Sequence, residues 1–460
     1  MNGTESASEI VTAVKTGAAT ARAVVELALT RIRQHDGRLG AFTDLVAERA
    51  QRTADAVDAG PKGPLAGVPF AVKNLFDVEG LVTRAGSKIN RENAPATRDA
   101  TLVTRLEAAG AILVGALNMG EYAYDFTGEN AHDGASRNPH NLDHMSGGSS
   151  GGSGSAVAAG LVPLALGSDT NGSIRAPSSL CGLFGLKPTY GRLSRAHTFP
   201  FVASLDHLGP LARTTRDLAL SYDAMQGFDE ADPGLTKRPL EPTESRLKHP
   251  IPTGRIAVAD GYFKGEGVAS AAVAHVAAAL GVSRSISLPD VPAARAAAYL
   301  ITMVEGASLH LDRLRTRPQD FDPDVRDRLL AGAMLPGVWV QRAQKLRRVY
   351  RDAVVKLFDD VDVILAPSTP MQAPRLGQKT AMFNGVELPV RPNMGVFTQP
   401  ISFIGLPVVS VPVWLGGESL PIGVQVIAAP WREDIALRVA YQLEEMGAVR
   451  APVAKEFADG

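Results

Sequence analysis

The chain holds one cysteine, Cys181, in 460 residues, so no internal disulfide can form. That fits a reducing compartment, and the expectation drawn from it is a cytoplasmic protein. Net charge is nearly absent too: 47 Lys and Arg stand against 48 Asp and Glu. No global field draws such a chain to nucleic acid or to an anionic membrane surface. Outside one Gly/Ser-rich segment, no uncharged apolar stretch reaches the ~18 residues that a membrane span requires. The opening Met-Asn-Gly-Thr-Glu-Ser-Ala-Ser-Glu lacks the basic and apolar regions of a signal peptide, and none is expected. No repeat of fixed period is present. What remains is ordinary for a soluble globular protein: 45% hydrophobic and 21% charged residues. A chain of this size buries roughly three quarters of its unfolded surface, enough for a substantial core.

Apolar periodicity predicts helices over 6–16, 20–35, 42–59 and 99–109, with Thr20 capping the second. Residues 65–73 read as a short buried strand ending in Lys73, and 111–115 as another. The alternation of helix and strand continues through 156–168 and implies a layered α/β core. Residues 227–254, rich in Pro and charge and without period, read as a long surface connection. Beyond it come a strand at 255–259, a helix at 268–280 and an arginine-rich, mostly helical stretch at 291–358. Strands return at 361–366, 407–413 and 423–428, before a helix near 432–446. The arginine-rich helices read as solvated faces, because acids balance them and aromatics do not interleave.

Residues 146–155 contain only Ser and Gly. Such composition suits a flexible linker. Its neighbours do not: an apolar run follows at 156–166, then Gly-Ser-Asp-Thr-Asn-Gly-Ser-Ile-Arg at 167–175. The expectation is a fixed loop whose amides and hydroxyls converge on a substrate. Lys73 ends an apolar run. Such a lysine ordinarily snorkels to solvent. If it is desolvated, its pKa falls and the neutral amine becomes a base for a nearby serine. Ser149 fits the Gly-x-Ser-x-Gly elbow of α/β-hydrolases, but the elbow needs a strand before the turn, and 138–145 reads as turn-like. Around Ser173 two readings stand: a plain turn, or a nest of amides at 170–173 suited to a developing oxyanion. His132, His140 and His144 lack the spacing of a zinc site, and no metal is expected.

Taken together these segments resemble the amidase signature family. Gly147-Gly-Ser-Ser-Gly-Gly-Ser, Asp169-Thr-Asn-Gly-Ser-Ile-Arg and Cys181-Gly-Leu-Phe-Gly-Leu-Lys-Pro-Thr carry the signature. The match extends upstream through Gly67-Val-Pro-Phe-Ala-Val-Lys-Asn, Asn118-Met-Gly-Glu and Arg137-Asn-Pro, and downstream through Gly405-Leu-Pro-Val-Val-Ser-Val-Pro. It is weakest between about 228 and 355. The resemblance implies one domain over 1–460, an α/β fold with a large mixed, twisted β-sheet covered by helices on both faces. The variable, mostly helical 228–355 region would lie on the substrate side.

It also implies a Ser-Ser-Lys triad: Lys73 as base, Ser149 as bridge after a cis peptide from Gly148, and Ser173 as nucleophile. Ser150 is the bridge's neighbour, not the bridge. The oxyanion hole would use the backbone of Thr170, Asn171, Gly172 and Ser173. No cofactor is implied. Two departures are visible. Asn171-Gly172 stands where the family often has Gly-Gly, so the Asn171 amide is a candidate substrate contact. Asp133 stands where an aromatic is usual.

Within the family, residues 118–130, 168–175 and 204–210 are most similar to the group that hydrolyses 1-carboxybiuret, a biuret-type amide in cyanuric acid breakdown, with release of ammonia. That implies a small-molecule substrate, a small helical partner like the C component of glutamyl-tRNA amidotransferase (a GatC-like protein), and a homo-oligomer. A carboxylated substrate calls for a pocket arginine; Arg313, Arg317, Arg326 and Arg391 are candidates, alongside Tyr122, Asp133 and Asn171 as substrate contacts. The alternatives are an amidotransferase component of the A type that delivers ammonia, or a general amidase. A non-catalytic binding protein is argued against by the intact Lys-Ser-Ser set.

Overall fold

Strands buried on both faces need cover on both sides. The computed structural model, which describes residues 1–251, 254–383 and 385–458, places eleven strands in one sheet. In chain order they are β1 (Phe42–Leu45), β2 (Pro69–Lys73), β3 (Ile112–Leu117), β4 (Leu164–Asp169), β5 (Phe184–Lys187), β6 (His207–Ala212), β7 (Ile256–Ala259), β8 (Ser285–Ile286), β9 (Val363–Pro367), β10 (Val408–Val413) and β11 (Ile422–Ala428). Across the sheet the order is β1-β3-β2-β4-β6-β5-β10-β11-β9-β7-β8. β2 is parallel to β3 and β4, and β7 is parallel to β8 and β9. The other pairings are antiparallel, so the sheet is mixed.

The two-residue period of the strands sorts their side chains into two cores. Phe70, Val72, Leu113, Leu164 and Leu166 pack on one side with the helices Thr215–Met225 and Glu433–Glu445. Ala71, Ile112, Val114 and Ala165 pack on the other with the helices Ala21–Leu39 and Gly151–Ala158. Because β2 and β4 are parallel, with Val72 beside Leu166, Lys73 and Ser168 emerge at the same edge of the sheet. Crevices outside the carboxyl ends of parallel strands are where α/β sheets bind ligands.

Several sequence expectations shift. The helix expected over 42–59 is a strand at Phe42–Leu45 and a helix at Ala47–Ala59, because the first four residues pair with β3 at the sheet edge. Residues 65–68 turn, with Gly67 at a φ of +80°, before β2 begins. The loop expected over 146–155 ends at Ser150, since Gly151–Ala158 is helical and wholly buried. The turn-like 138–145 segment contains a strand, Asn141–Met145, paired with Arg137–Asn138. The strands at 184–187 and 207–212 went unforeseen. The 227–254 connection has no α-helix or strand among its described residues. The arginine-rich stretch forms three helices, Val291–Thr316, Pro323–Ala333 and Gly337–Leu357.

Small residues dominate Gly151–Ala158 because neighbouring backbone lies against it. A Cβ on Gly152 would meet the Ala41 carbonyl oxygen and lie 2.7 Å from both the amide N and carbonyl O of Asn118. Those are backbone atoms and cannot swing aside. Gly152→Ala is therefore expected to destabilise by roughly 1–3 kcal/mol, overriding the ~1 kcal/mol that alanine ordinarily gains in a helix. A thermal melt with a midpoint at or above that of the parent chain would contradict this.

Candidate active site

Lys73 is fully buried. Its Nζ lies 2.7 Å from Ser149 Oγ and 2.9 Å from Ser168 Oγ, donating to both in the ammonium form. Burial lowers its pKa to about 7, against the opposing pull of Asp206, Asp125 and Asp169. The lysine therefore does not snorkel, and near neutral pH it exists in both protonation states. Ser149 follows a cis peptide bond from Gly148, at the end of a loop held by close contacts. Gly147 sits against Pro177, and Gly148 against Asp125 and the amide of Gly128. The elbow pattern does have its strand and its helix, contrary to the sequence reading. What sets it aside is the partner of Ser149, which is a lysine and not a histidine.

Ser173 lies in the turn between β4 and the helix Arg175–Cys181. An ion pair buried at both ends braces this turn. Arg175 donates from Nε and Nη2 to the two oxygens of Asp169, each at 2.9 Å, and from Nη1 to Gln425 Oε1 at 2.6 Å. Ser402 also donates to Asp169, at 2.9 Å. Burial alone would raise the Asp169 pKa, but Arg175 holds it well below the usual carboxylate range. On one flank Thr170 Oγ1 donates to Asp206 at 2.6 Å; on the other Thr398 Oγ1 donates to the Asn171 carbonyl at 2.7 Å. Gly172 has a φ of +143°, and a Cβ there would strike the Thr398 side chain. The amides of Asn171, Gly172 and Ser173 donate to no acceptor among the described residues, whereas Ile174 N donates to Asp169 at 3.3 Å. Fixed, unused amides at a turn are suited to stabilise a developing oxyanion.

Ser173, Thr170 and Asn171 line a small cavity. Tyr124, Phe126 and Phe201 add aromatic side chains to its lining, and Tyr299, Arg328, Pro392 and Gln399 join it from later in the chain. Arg328 is the arginine of this cavity. Its guanidinium carbon sits 3.7 Å from the Tyr124 ring centroid, its Nε donates to Asp324 O at 2.7 Å, and its Nη2 donates to Tyr124 O. Nη1 has no hydrogen-bond partner among the described residues.

The sequence-predicted contacts divide. Asn171 lines the cavity. Tyr122, Asp133 and Arg313 do not. Tyr122 is buried among Phe199, His310 and Phe321, and its hydroxyl meets Ser87 and Arg313. Arg313 spends its Nη1 on Asn90 and Tyr122. Asp133 pairs with Arg91 at 2.7 Å and Arg84 at 3.7 Å. Arg317 pairs with Glu92 and Asp320, Arg326 with Asp327, and Arg391 with Asp125 and Asp324. The three histidines scatter: His132 meets Glu121, His140 meets the Cys181 carbonyl, and His144 bridges to Arg375. No group of three metal-ligating side chains exists among the described residues. No described helix is long and apolar enough to cross a membrane.

Sequence reasoning missed Ser168 and Arg328. Ser168 was hidden by its place beside Asp169. Arg328 had a faint signal: it lies between Val325, Leu329 and Gly332, which mark the buried stripe of its helix.

Comparison with known proteins gives a consistent result. The family model described as Amidase matches residues 23–437. AtzE, the 1-carboxybiuret hydrolase component of Pseudomonas sp. (strain ADP), is 53% identical, over 96% of this chain and 98% of that protein. The A component of glutamyl-tRNA(Gln) amidotransferase from Pseudomonas aeruginosa is 37% identical, over 95% and 96%. A solved inhibitor-bound structure, described as an unexpected vestigial protein complex that reveals the evolutionary origins of an s-triazine catabolic enzyme, superposes with a TM-score of 0.96. It is 52% identical, covering 97% of this chain and all of that one (100%). The substrate complex of 6-aminohexanoate cyclic dimer hydrolase superposes at 0.87 with 28% identity, covering 99% of this chain and 100% of that chain.

Proposed function

The chain belongs to the amidase family, and from that premise we propose that it is a serine amidohydrolase that releases ammonia from a small biuret-type amide, with 1-carboxybiuret the favoured substrate. The observation that carries the proposal is the buried Lys73, 2.7 Å from Ser149 at the edge where the Ser173 turn presents its unused amides. Serine is a weak nucleophile and needs a base. Neutral Lys73 takes the Ser149 proton while Ser149 takes that of Ser173. Ser173 Oγ attacks the amide carbonyl carbon, and the oxygen gains its negative charge against the amides of Asn171, Gly172 and Ser173. Ser149 then protonates the leaving nitrogen and is reprotonated by Lys73. The C–N bond breaks, ammonia departs and the acyl group stays on Ser173. Water repeats the relay to free the acid. Protein side chains supply every proton transfer in this sequence, and the residues lining the site call for no cofactor.

Arg328 supports a carboxylated acyl group. It is the cavity's arginine, and its free Nη1 suits an anion. A small helical partner and a homo-oligomer belong to the same proposal. The amidotransferase A component stands at 37% identity and a relative named for 1-carboxybiuret at 53%, which favours the hydrolase reading over ammonia delivery.

The test is ammonia release by the purified chain, with and without a co-purified small protein, from 1-carboxybiuret, biuret and simple amides. Activity on 1-carboxybiuret without glutamine or tRNA is expected. Arg328→Gln should raise KM for the carboxylated substrate about 10- to 100-fold and alter that for biuret far less. Release from glutamine alone would transfer the proposal to the amidotransferase reading.

A further inference from the structure

Two residues lining the cavity at Ser173 carry polar atoms that have no partner among the described residues. Asn171 Oδ1 is one and the Tyr124 hydroxyl, beside the Arg328 guanidinium, is the other; both are buried and make no hydrogen bond among the described residues. Asn171 as a whole is 5% exposed, and both residues line the cavity. A buried polar group without a partner is costly, and most native ones are satisfied.

The Asn171 amide is not free to turn either atom inward at will. Its Nδ2 donates to Thr302 Oγ1 at 3.0 Å, from the helix Val291–Thr316. Its main-chain carbonyl is tied by Thr398 on the far side. With Nδ2 engaged, Oδ1 is the atom left over, and an amide oxygen only accepts. The Tyr124 ring is pinned between the Arg328 guanidinium and Phe201, whose centroid lies 4.8 Å away. Burial drives the Tyr124 pKa above its ordinary value, so its hydroxyl stays protonated and remains a donor. Two residues that line the cavity with Ser173 thus carry one unpaired acceptor and one unpaired donor.

We infer that this pair selects a ureido acyl group: Asn171 Oδ1 accepts an N–H of the acyl part and the Tyr124 hydroxyl donates to its second carbonyl. The inference rests on the amidohydrolase reading and assigns the residues that recognise the N–H and second carbonyl of its substrate. An acyl chain with CH₂ in place of that N–H leaves Asn171 unpaired, and sites built around a hydrogen bond reject analogues that lack it. Asn171 thus acts as a specificity residue through its side chain, separately from its main-chain amide.

Biuret and malonamide differ only in a central N–H replaced by CH₂, so they make the matched pair. Intrinsic reactivity cancels when the biuret-to-malonamide ratio of kcat/KM is compared between variants. Asn171→Gly keeps a residue the turn accommodates and is expected to lower that ratio about 10- to 100-fold. Asn171→Asp preserves an acceptor and should keep the ratio within a few-fold of the parent. Thr302→Val, which frees the amide, should lower it in the same direction, and it covers the case in which Asn171→Gly fails to fold. Ratios within twofold of the parent in both Asn171→Gly and Thr302→Val would overturn the inference. So would collapse in Asn171→Asp, which would mean that Nδ2 faces the substrate. Release of ammonia from neither compound by the parent chain overturns the amidohydrolase reading for such amides, and this inference with it.

Discussion

Ser173→Ala is expected to reduce kcat/KM for ammonia release by at least about 10⁴-fold, with the fold and melting temperature intact. Removing a serine nucleophile from a catalytic unit typically costs this much, leaving only the acceleration due to binding and oxyanion stabilisation. The residue is 3% exposed and its hydroxyl makes no hydrogen bond among the described residues, so a lost oxygen strands no partner there. Rapid quenching with substrate should trap an acyl adduct on Ser173 in the parent chain. An Ala variant within tenfold of the parent would eliminate Ser173 as the nucleophile. If the adduct maps to Ser149 instead, the roles of the two serines are reversed.

Lys73→Met should be inactive and yet more stable. An unfolded lysine titrates at its ordinary value of 10.5, the folded one at about 7. Below about 7 both states carry the proton, and the folded chain bears the full cost of burying it. Between about 7 and 10.5 the unfolded chain holds more protons than the folded one, so stability rises with pH across that window. Above 10.5 the penalty has vanished. The full penalty is on the order of 5 kcal/mol. Methionine removes it but leaves Ser149 and Ser168 without their shared partner, at about 1–3 kcal/mol. A net gain of a few kcal/mol at pH 7 is expected, fading toward pH 10. In the parent chain kcat/KM should climb about tenfold per pH unit below 7 and level off above it, as the neutral amine becomes populated.

Lys187 is the control. It too is buried and lowered to about 7, first by burial and then by the charge of Arg175, but it donates to the carbonyls of Pro188 and Leu406 and to no serine among the described residues. Lys187→Met should leave the acid limb of the rate profile in place. If that limb vanishes with Lys187 and persists without Lys73, the base has been misassigned.

The layered α/β core was legible in the chain because it rests on local signals, the apolar runs and the alternation of helix and strand; the burial of Lys73 was not, since a cation closing an apolar run ordinarily snorkels, and only the family resemblance placed it in a triad. The Ser149 loop and the Ser173 turn were legible because their neighbours had core character. What was not legible depends on distant partners. Residues 42–45 have no strand signature of their own and become β1 only because β3 offers an open edge. Of the four candidate arginines, Arg313, Arg317 and Arg326 lie in the arginine-rich helical stretch and Arg391 beyond it; each has a carboxylate or a polar neighbour, while Arg328 reaches the cavity because its helix turns Val325 and Leu329 inward. Tyr122 and Tyr124 are two residues apart, yet one fills an aromatic core and the other lines the site. A sequence motif cannot distinguish them, because both backbone conformations depend on contacts made elsewhere.

The residues lining the cavity come from two groups of segments. In the 170–173 turn, the room that a Cβ on Gly172 would need is already taken by the Thr398 side chain. Tyr299, Arg328, Pro392 and Gln399 come from later segments that hold none of the reacting groups. Enlargement in the turn is therefore expected to cost the fold or the chemistry, whereas changes at these four later positions are expected to alter which amide is accepted while the chemistry stays constant. A library confined to those four later positions is the economical place to search for altered nitrogen-source use.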